Sequence, residues 1–145
     1  MREALAEADA AGKAGEMPIG SVVVRGGEIV SRGRSRQQET GSQLAHAEFE
    51  ALRALTGPEW ADATPDAVVF TTVEPCPLCL GATVMMDVEH VVYALDDKLA
   101  GAREMLEVPY VRRHIRSYVG GVLADEVAAM TAGHSRDFLE TIGHA

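Results

Sequence analysis

His46, Glu48, Cys76 and Cys79 are the residues of this chain whose types and spacing suit chemistry at one centre. His46-Ala47-Glu48 supplies an imidazole and a carboxylate. Pro75-Cys76-Pro77-Leu78-Cys79 supplies two thiols, the only cysteines in the sequence. One nitrogen and two sulfurs make three ligands for zinc and leave a fourth tetrahedral position for water, as in a catalytic rather than a structural site. Water held there is lowered toward a pKa of about 7 and becomes a nucleophile. Glu48 is not needed as a ligand; its natural role is to take the water's proton and pass it on. Such a set can replace an amine by oxygen at an amidine carbon of an aromatic ring.

Local structure must bring these groups together. Ala67 to Val73 is apolar enough to be a central strand, and Leu78 to Met86 reads as the helix that follows it. A separation of three puts Cys76 and Cys79 on neighbouring positions of the first helical turn. There the helix dipole favours thiolate, and Pro75 and Pro77 suit the entry. His46 and Glu48 would point about 200° apart inside a helix. They can serve one ion only if His46 starts the helix and the ion lies off its end. A helix from about Ala45 to Thr56, stopped by Gly57-Pro58, meets that condition.

The rest of the chain supplies a scaffold. Residues 2–14 predict a helix with a small-residue packing face. Ile19–Val24 and Glu28–Gly33 read as strands joined by a Gly26-Gly27 turn, and Ser35–Leu44 as a loop. Residues 58–66, with Trp60 and Pro65, read as a surface connection. Val91–Ala94 and Tyr118-Val119 are short strands. Helices are expected over Lys98–Glu107, Val111–Arg116, Leu123–Ala132 and Ser135–Ile142. One α/β domain over residues 1–145, with helices on both faces of a sheet, is the economical architecture.

Composition narrows the function classes. With 47% hydrophobic and 24% charged residues the chain reads as an ordinary globular protein. No apolar run approaches the roughly 20 residues of a spanning helix, and the charged first fifteen residues lack signal-peptide texture. The expected location is cytoplasmic, with no membrane partner; there a cysteine pair suits a metal better than a disulfide. A net charge of −9 repels a phosphate backbone on average. The arginine groups Arg32/Arg34/Arg36 and Arg112/Arg113/Arg116 read as solvated faces, so small substrates are favoured over nucleic acid. A redox role for the cysteines leaves His46 and Glu48 without a function. A structural zinc needs a fourth ligand from His90, His114, His134 or His144, none of which has helpful spacing.

A His-x-Glu followed by Pro-Cys-x-x-Cys is the signature of zinc nucleobase deaminases. With Met17-Pro18-Ile19-Gly20-Ser21-Val22, Glu74 to Ala82 and Val91-Val92-Tyr93, the sequence resembles the cytidine deaminase-like superfamily along nearly its whole length. The resemblance implies a three-layer α/β/α sandwich with a five-stranded mixed sheet, assembled as a homodimer or higher oligomer. It also implies zinc on His46, Cys76 and Cys79, with Glu48 as proton shuttle. Gly121 to Glu126 is similar to bacterial tRNA adenosine deaminases, Glu74 to Ala82 to guanine deaminases, and the tail Asp137 to Gly143 to fungal-type cytosine deaminases. The substrate contacts implied are Ser35, Ala47, Glu74, Asp97, Phe138 and Glu140. Ser35 stands where many members carry a substrate-binding Asn, and Thr141 where cytosine deaminases carry an acidic residue. The expected substrate is a small nucleobase or nucleoside, with tRNA adenosine as the alternative enzyme substrate. A noncatalytic zinc-stabilised module is the non-enzyme alternative.

Overall fold

The computed structural model describes residues 1–60 and 66–144. In chain order the elements are α1 (Arg2–Lys13), β1 (Gly20–Arg25), β2 (Glu28–Arg34), α2 (Gln37–Thr40), α3 (Ala47–Arg53), β3 (Ala67–Val73), α4 (Pro77–Met85), β4 (His90–Leu95), α5 (Pro109–His114), β5 (Ser117–Val119), α6 (Ala124–His134) and α7 (Arg136–Thr141). Short 3-10 turns occupy Pro58–Trp60 and Arg103–Glu107. The rest of the expected 58–66 connection, Pro65 included, lies outside the described residues.

The strands form one five-stranded sheet in the order β2-β1-β3-β4-β5. β1 is antiparallel to both β2 and β3, whereas β3, β4 and β5 run parallel. The sheet is mixed and β3 is central, as its apolar sequence implies. On one face α1 and α6 pack against the strands and α7 packs on α6. On the other face α3 and α4 lie side by side, with α5 against α4.

Glycine sets the spacing of these layers at two positions. A Cβ at Gly20 would run into Ala4 O of α1, and a Cβ at Gly33 into Ala47 O of α3. The expected small-residue face of α1 is therefore a close-packing face: Ala4, Ala8 and Ala11 are fully buried. On the α3 side, Val23, Ala51, Leu52 and Val69 form one apolar cluster. Leu80, Val91 and Tyr93 continue the core under α4. Val73, Leu95, Val127 and Leu139 close it on the opposite side, beneath α6 and α7.

Three stretches differ from the sequence-based expectation. The loop predicted over Ser35–Leu44 contains α2, because the Glu16 carboxylate accepts hydrogen bonds from Gln38 and Glu39 N–H at 3.0 and 2.7 Å. The helix predicted over Lys98–Glu107 is reduced to the turn Arg103–Glu107. Asp97 explains this: its carboxylate accepts Leu99 and Ala100 N–H, both at 2.9 Å, and holds a tight loop in place of a helical turn. The helix expected to reach Thr56 ends at Arg53. Among the described residues no helix is long and apolar enough to cross a membrane.

Candidate active site

The carboxyl ends of parallel β3 and β4 open beside one another, where ligands bind in open α/β sheets. Two helix N-termini meet there. His46 is the N-cap of α3 and Cys76 the N-cap of α4, each in extended backbone, and Pro77 occupies the first turn of α4. The condition placed on His46 by its spacing from Glu48 is met: the imidazole lies before the first helical residue, not on the helix side.

This arrangement brings three donors together. His46 Nδ1 lies 3.5 Å from Cys76 Sγ and 3.6 Å from Cys79 Sγ, and all three atoms fall within 4.8 Å of one another. A tetrahedral zinc with bonds of about 2.05 Å to nitrogen and 2.3 Å to sulfur sets those atoms about 3.6 Å apart. The cluster fits the ion in donor type and in spacing. A hydrogen bond from Cys79 is the main cause that lowers the Cys76 pKa to about 4. The same bond, with burial, raises that of Cys79. One thiolate thus forms readily, and a bound dication deprotonates the other.

Glu48, on the first turn of α3, is buried beside this cluster. Burial raises its carboxyl pKa, while Thr71 Oγ1 of β3 donates to Oε1 at 3.1 Å and opposes the shift. An acid so placed exchanges protons nearer neutral pH than an exposed glutamate does.

A cavity of about 270 Å³ opens over these groups. His46, Ala47, Glu48 and Cys76 form its floor, and Ser35, Glu74, Asp97 and Phe138 stand in its wall. Ser35 is 1% exposed and its hydroxyl has no hydrogen-bond partner. Glu140 is exposed on α7 and is not among the lining residues; its neighbour Thr141 is. Glu74 lines the cavity, yet both its oxygens are already engaged, one by Asp97 N–H at 3.1 Å and the other by Tyr118 OH at 3.2 Å. Gln37, Leu99 and Ile142 also line the cavity and were not singled out from the sequence. Nothing in their local composition marks them; strand ends and the chain's tail bring them to one place.

Fold and site together define a zinc-dependent deaminase. Residues 1–95 match the family described as cytidine and deoxycytidylate deaminase zinc-binding region, and the chain belongs to that family. It is 36% identical over 144 residues to the tRNA-specific adenosine deaminase of Bacillus subtilis, covering 94% of this chain and 87% of that protein. It is 42% identical over 103 residues to the tRNA(Ile)-lysidine synthase of Deinococcus radiodurans, covering 70% of this chain but only 18% of the relative's length. A solved structure from a study of A-to-I editing by tRNA:A34 deaminases superposes with a TM-score of 0.80 at 30% identity, covering 90% of this chain and 96% of that one.

Proposed function

We propose that residues 1–145 act as one domain that hydrolytically deaminates an amino-substituted nucleobase, with adenosine in tRNA as the substrate. The observation that carries the tRNA reading is the 36% identity running through 94% of the chain to the Bacillus subtilis enzyme. It supports this reading over the small base or nucleoside that the net charge favours.

His46, Cys76 and Cys79 would hold the metal. Bound there, zinc supplies Lewis acidity that brings a water toward ionisation at neutral pH. Glu48 would act at its carboxylate, taking the proton of the attacking water as the new carbon–oxygen bond forms at the ring carbon. Glu48 then delivers that proton to the adjacent ring nitrogen, takes the remaining hydroxyl proton and passes it to the exocyclic amine, which leaves as ammonia as the carbonyl forms. Ser35 Oγ, buried and unpartnered, donates to or accepts from the base edge, satisfying a hydroxyl that is otherwise costly to bury. A hydroxyl offers one donor, and cannot reproduce the two-point contact of an amide. Asp97 and Phe138 complete the wall against which the base lies.

A free base or nucleoside is the second reading. It is favoured by the net charge of −9 and by the chain's tail, where Phe138 and Thr141 of α7 and Ile142 just after it wall the cavity. The protein acts in the cytoplasm as a homodimer. The apolar groove between α3 and α4 supports that assembly, with Met85 at its rim 71% exposed.

The test is ammonia and inosine formation by zinc-loaded protein offered tRNA, adenosine, adenine, cytosine, guanine and their nucleosides. Inosine in tRNA, with binding that weakens steeply as salt rises, is the expected result. Turnover of a free base with no tRNA binding at low salt moves the assignment to the second reading. Ammonia from none of them removes both.

A further inference from the structure

Glu74 is a buried carboxylate, 6% exposed, that the proposed chemistry does not use. Burying a carboxylate is costly unless its oxygens are paired. Here Oε2 accepts Asp97 N–H at 3.1 Å, and Oε1 accepts Tyr118 OH at 3.2 Å with Arg103 Nε 3.9 Å away. Arg103 in turn lies over the Tyr118 ring, 5.6 Å from its centroid. Gly101 packs directly on this group: a Cβ there would collide with the Glu74 carboxylate and with Asp97 O.

The loop attached in this way forms part of the cavity wall. Residues 97–101 are closed on themselves by the Asp97 carboxylate and by Gly101 N–H, which donates to Asp97 O at 2.9 Å. The loop presents Asp97, Leu99 and Ala100 to the cavity. Its other side is fastened just past the end of α7: Lys98 N–H donates to Ile142 O at 3.1 Å, and Lys98 Nζ to Gly143 O at 2.9 Å. Glu74 itself stands two residues before Cys76, and Pro75 O accepts Ala102 N–H at 2.9 Å.

We infer that Glu74 is a positioning residue. Its carboxylate ties the 97–101 wall, and through Lys98 the α7 wall, to the segment that carries Cys76. The base is thereby held at a set height over the metal cluster. Each of its oxygens already accepts a hydrogen bond from the wall it holds, which assigns the carboxylate to attachment rather than to reading the base. The inference rests on the deaminase reading for its kinetic consequence, but the attachment itself can be observed without turnover.

Three variants test it: Glu74→Gln, which cannot accept both hydrogen bonds; Gly101→Ala, which pushes the loop off the carboxylate; and Tyr118→Phe, which removes one bond and keeps the ring. Hydrogen exchange of residues 97–101, zinc content, and KM and kcat on the best substrate are measured for each. Expected are faster exchange confined to 97–101 and α7, unchanged zinc, and a KM raised about tenfold for Glu74→Gln with kcat within about threefold. Tyr118→Phe should move each quantity the same way by less, and carries the test if Glu74→Gln does not fold. Unchanged exchange in the loop overturns the attachment. A lost zinc ion, or a fall in kcat at constant KM, overturns the assigned role by making Glu74 a support of the metal cluster. If wild-type protein turns over no base while the loop still loosens on mutation, the deaminase reading has failed and the attachment stands.

Discussion

At Glu48 burial and hydrogen bonding pull in opposite directions. Exclusion from water raises its pKa, and the Thr71 hydroxyl partly offsets the rise. The net direction is upward from the ordinary carboxylate value, which favours return of a proton once it has been taken. Replacing it by Gln keeps shape and removes proton exchange. Glu48→Gln is expected to lower kcat by about a hundredfold or more with zinc content intact, as read by single-turnover kinetics and metal analysis. Ser35 shows the opposite balance between stability and function. Its hydroxyl is buried without a partner, so Ser35→Ala should stabilise the ligand-free protein by about 1 kcal/mol in urea unfolding while weakening substrate binding about fivefold. An Ala variant that lost stability and bound substrate normally would show that Ser35 serves the fold alone.

Among the elements, α3 carries the larger share of the site, because it begins at His46 and places Glu48 on its first turn. It is short, and it is held by contacts beyond its own sequence. Gly33 lets its backbone lie directly on β2. Glu50, 9% exposed, accepts two 2.7 Å hydrogen bonds from Arg53 and has Arg36 at 3.6 Å. The Arg53 hydrogen bonds are the main cause that holds the Glu50 pKa below the ordinary carboxylate value. A lowered folded-state pKa means that the stabilisation is present above the unfolded pKa and disappears as pH falls through the folded one. Glu50→Gln should therefore cost about 1 kcal/mol at pH 7 and little at pH 3, a modest figure because Arg53 is largely exposed and water screens the pair. Urea denaturation at the two pH values checks this; equal losses at both would mean that the charge is irrelevant.

For the whole molecule, a metal held by the proposed ligands would be a cross-link. His46 enters from the start of α3 and the cysteines from the start of α4, thirty and more residues later in the chain. A ligand that binds only the folded form stabilises it by mass action. Chelation should lower the thermal midpoint by several degrees, and added zinc should restore it in a concentration-dependent way, as followed by circular dichroism. The outer face of the same two helices carries the proposed dimer contact. Met85→Asp is expected to shift the protein to monomer in sedimentation without loss of zinc. A variant still dimeric at micromolar concentration would place the interface elsewhere.

What the sequence alone determined was local. The His46/Glu48 and Cys76/Cys79 sets could be read because each lies within one helical start, where spacing translates directly into direction. The Gly26-Gly27 hairpin, the central β3 and the alanine face of α1 were legible for the same reason: period and turn chemistry act over a few residues. Tertiary structure decided what depends on distant partners. The α2 helix exists because Glu16, 22 residues earlier than Gln38, receives its first N–H groups. Ser35 is left without a partner, and Glu74 is hydrogen-bonded through both oxygens, by the folding of segments that share no sequence window with them. The cavity wall joins β2's end, the loop after β4 and the chain's tail. The grouping of His46, Glu48, Cys76 and Cys79 was therefore readable from spacing, whereas Ser35, Ala47, Glu74, Asp97 and Phe138 could be named for the cavity only through the family resemblance, because a wall assembled from separate strand ends has no period in the sequence.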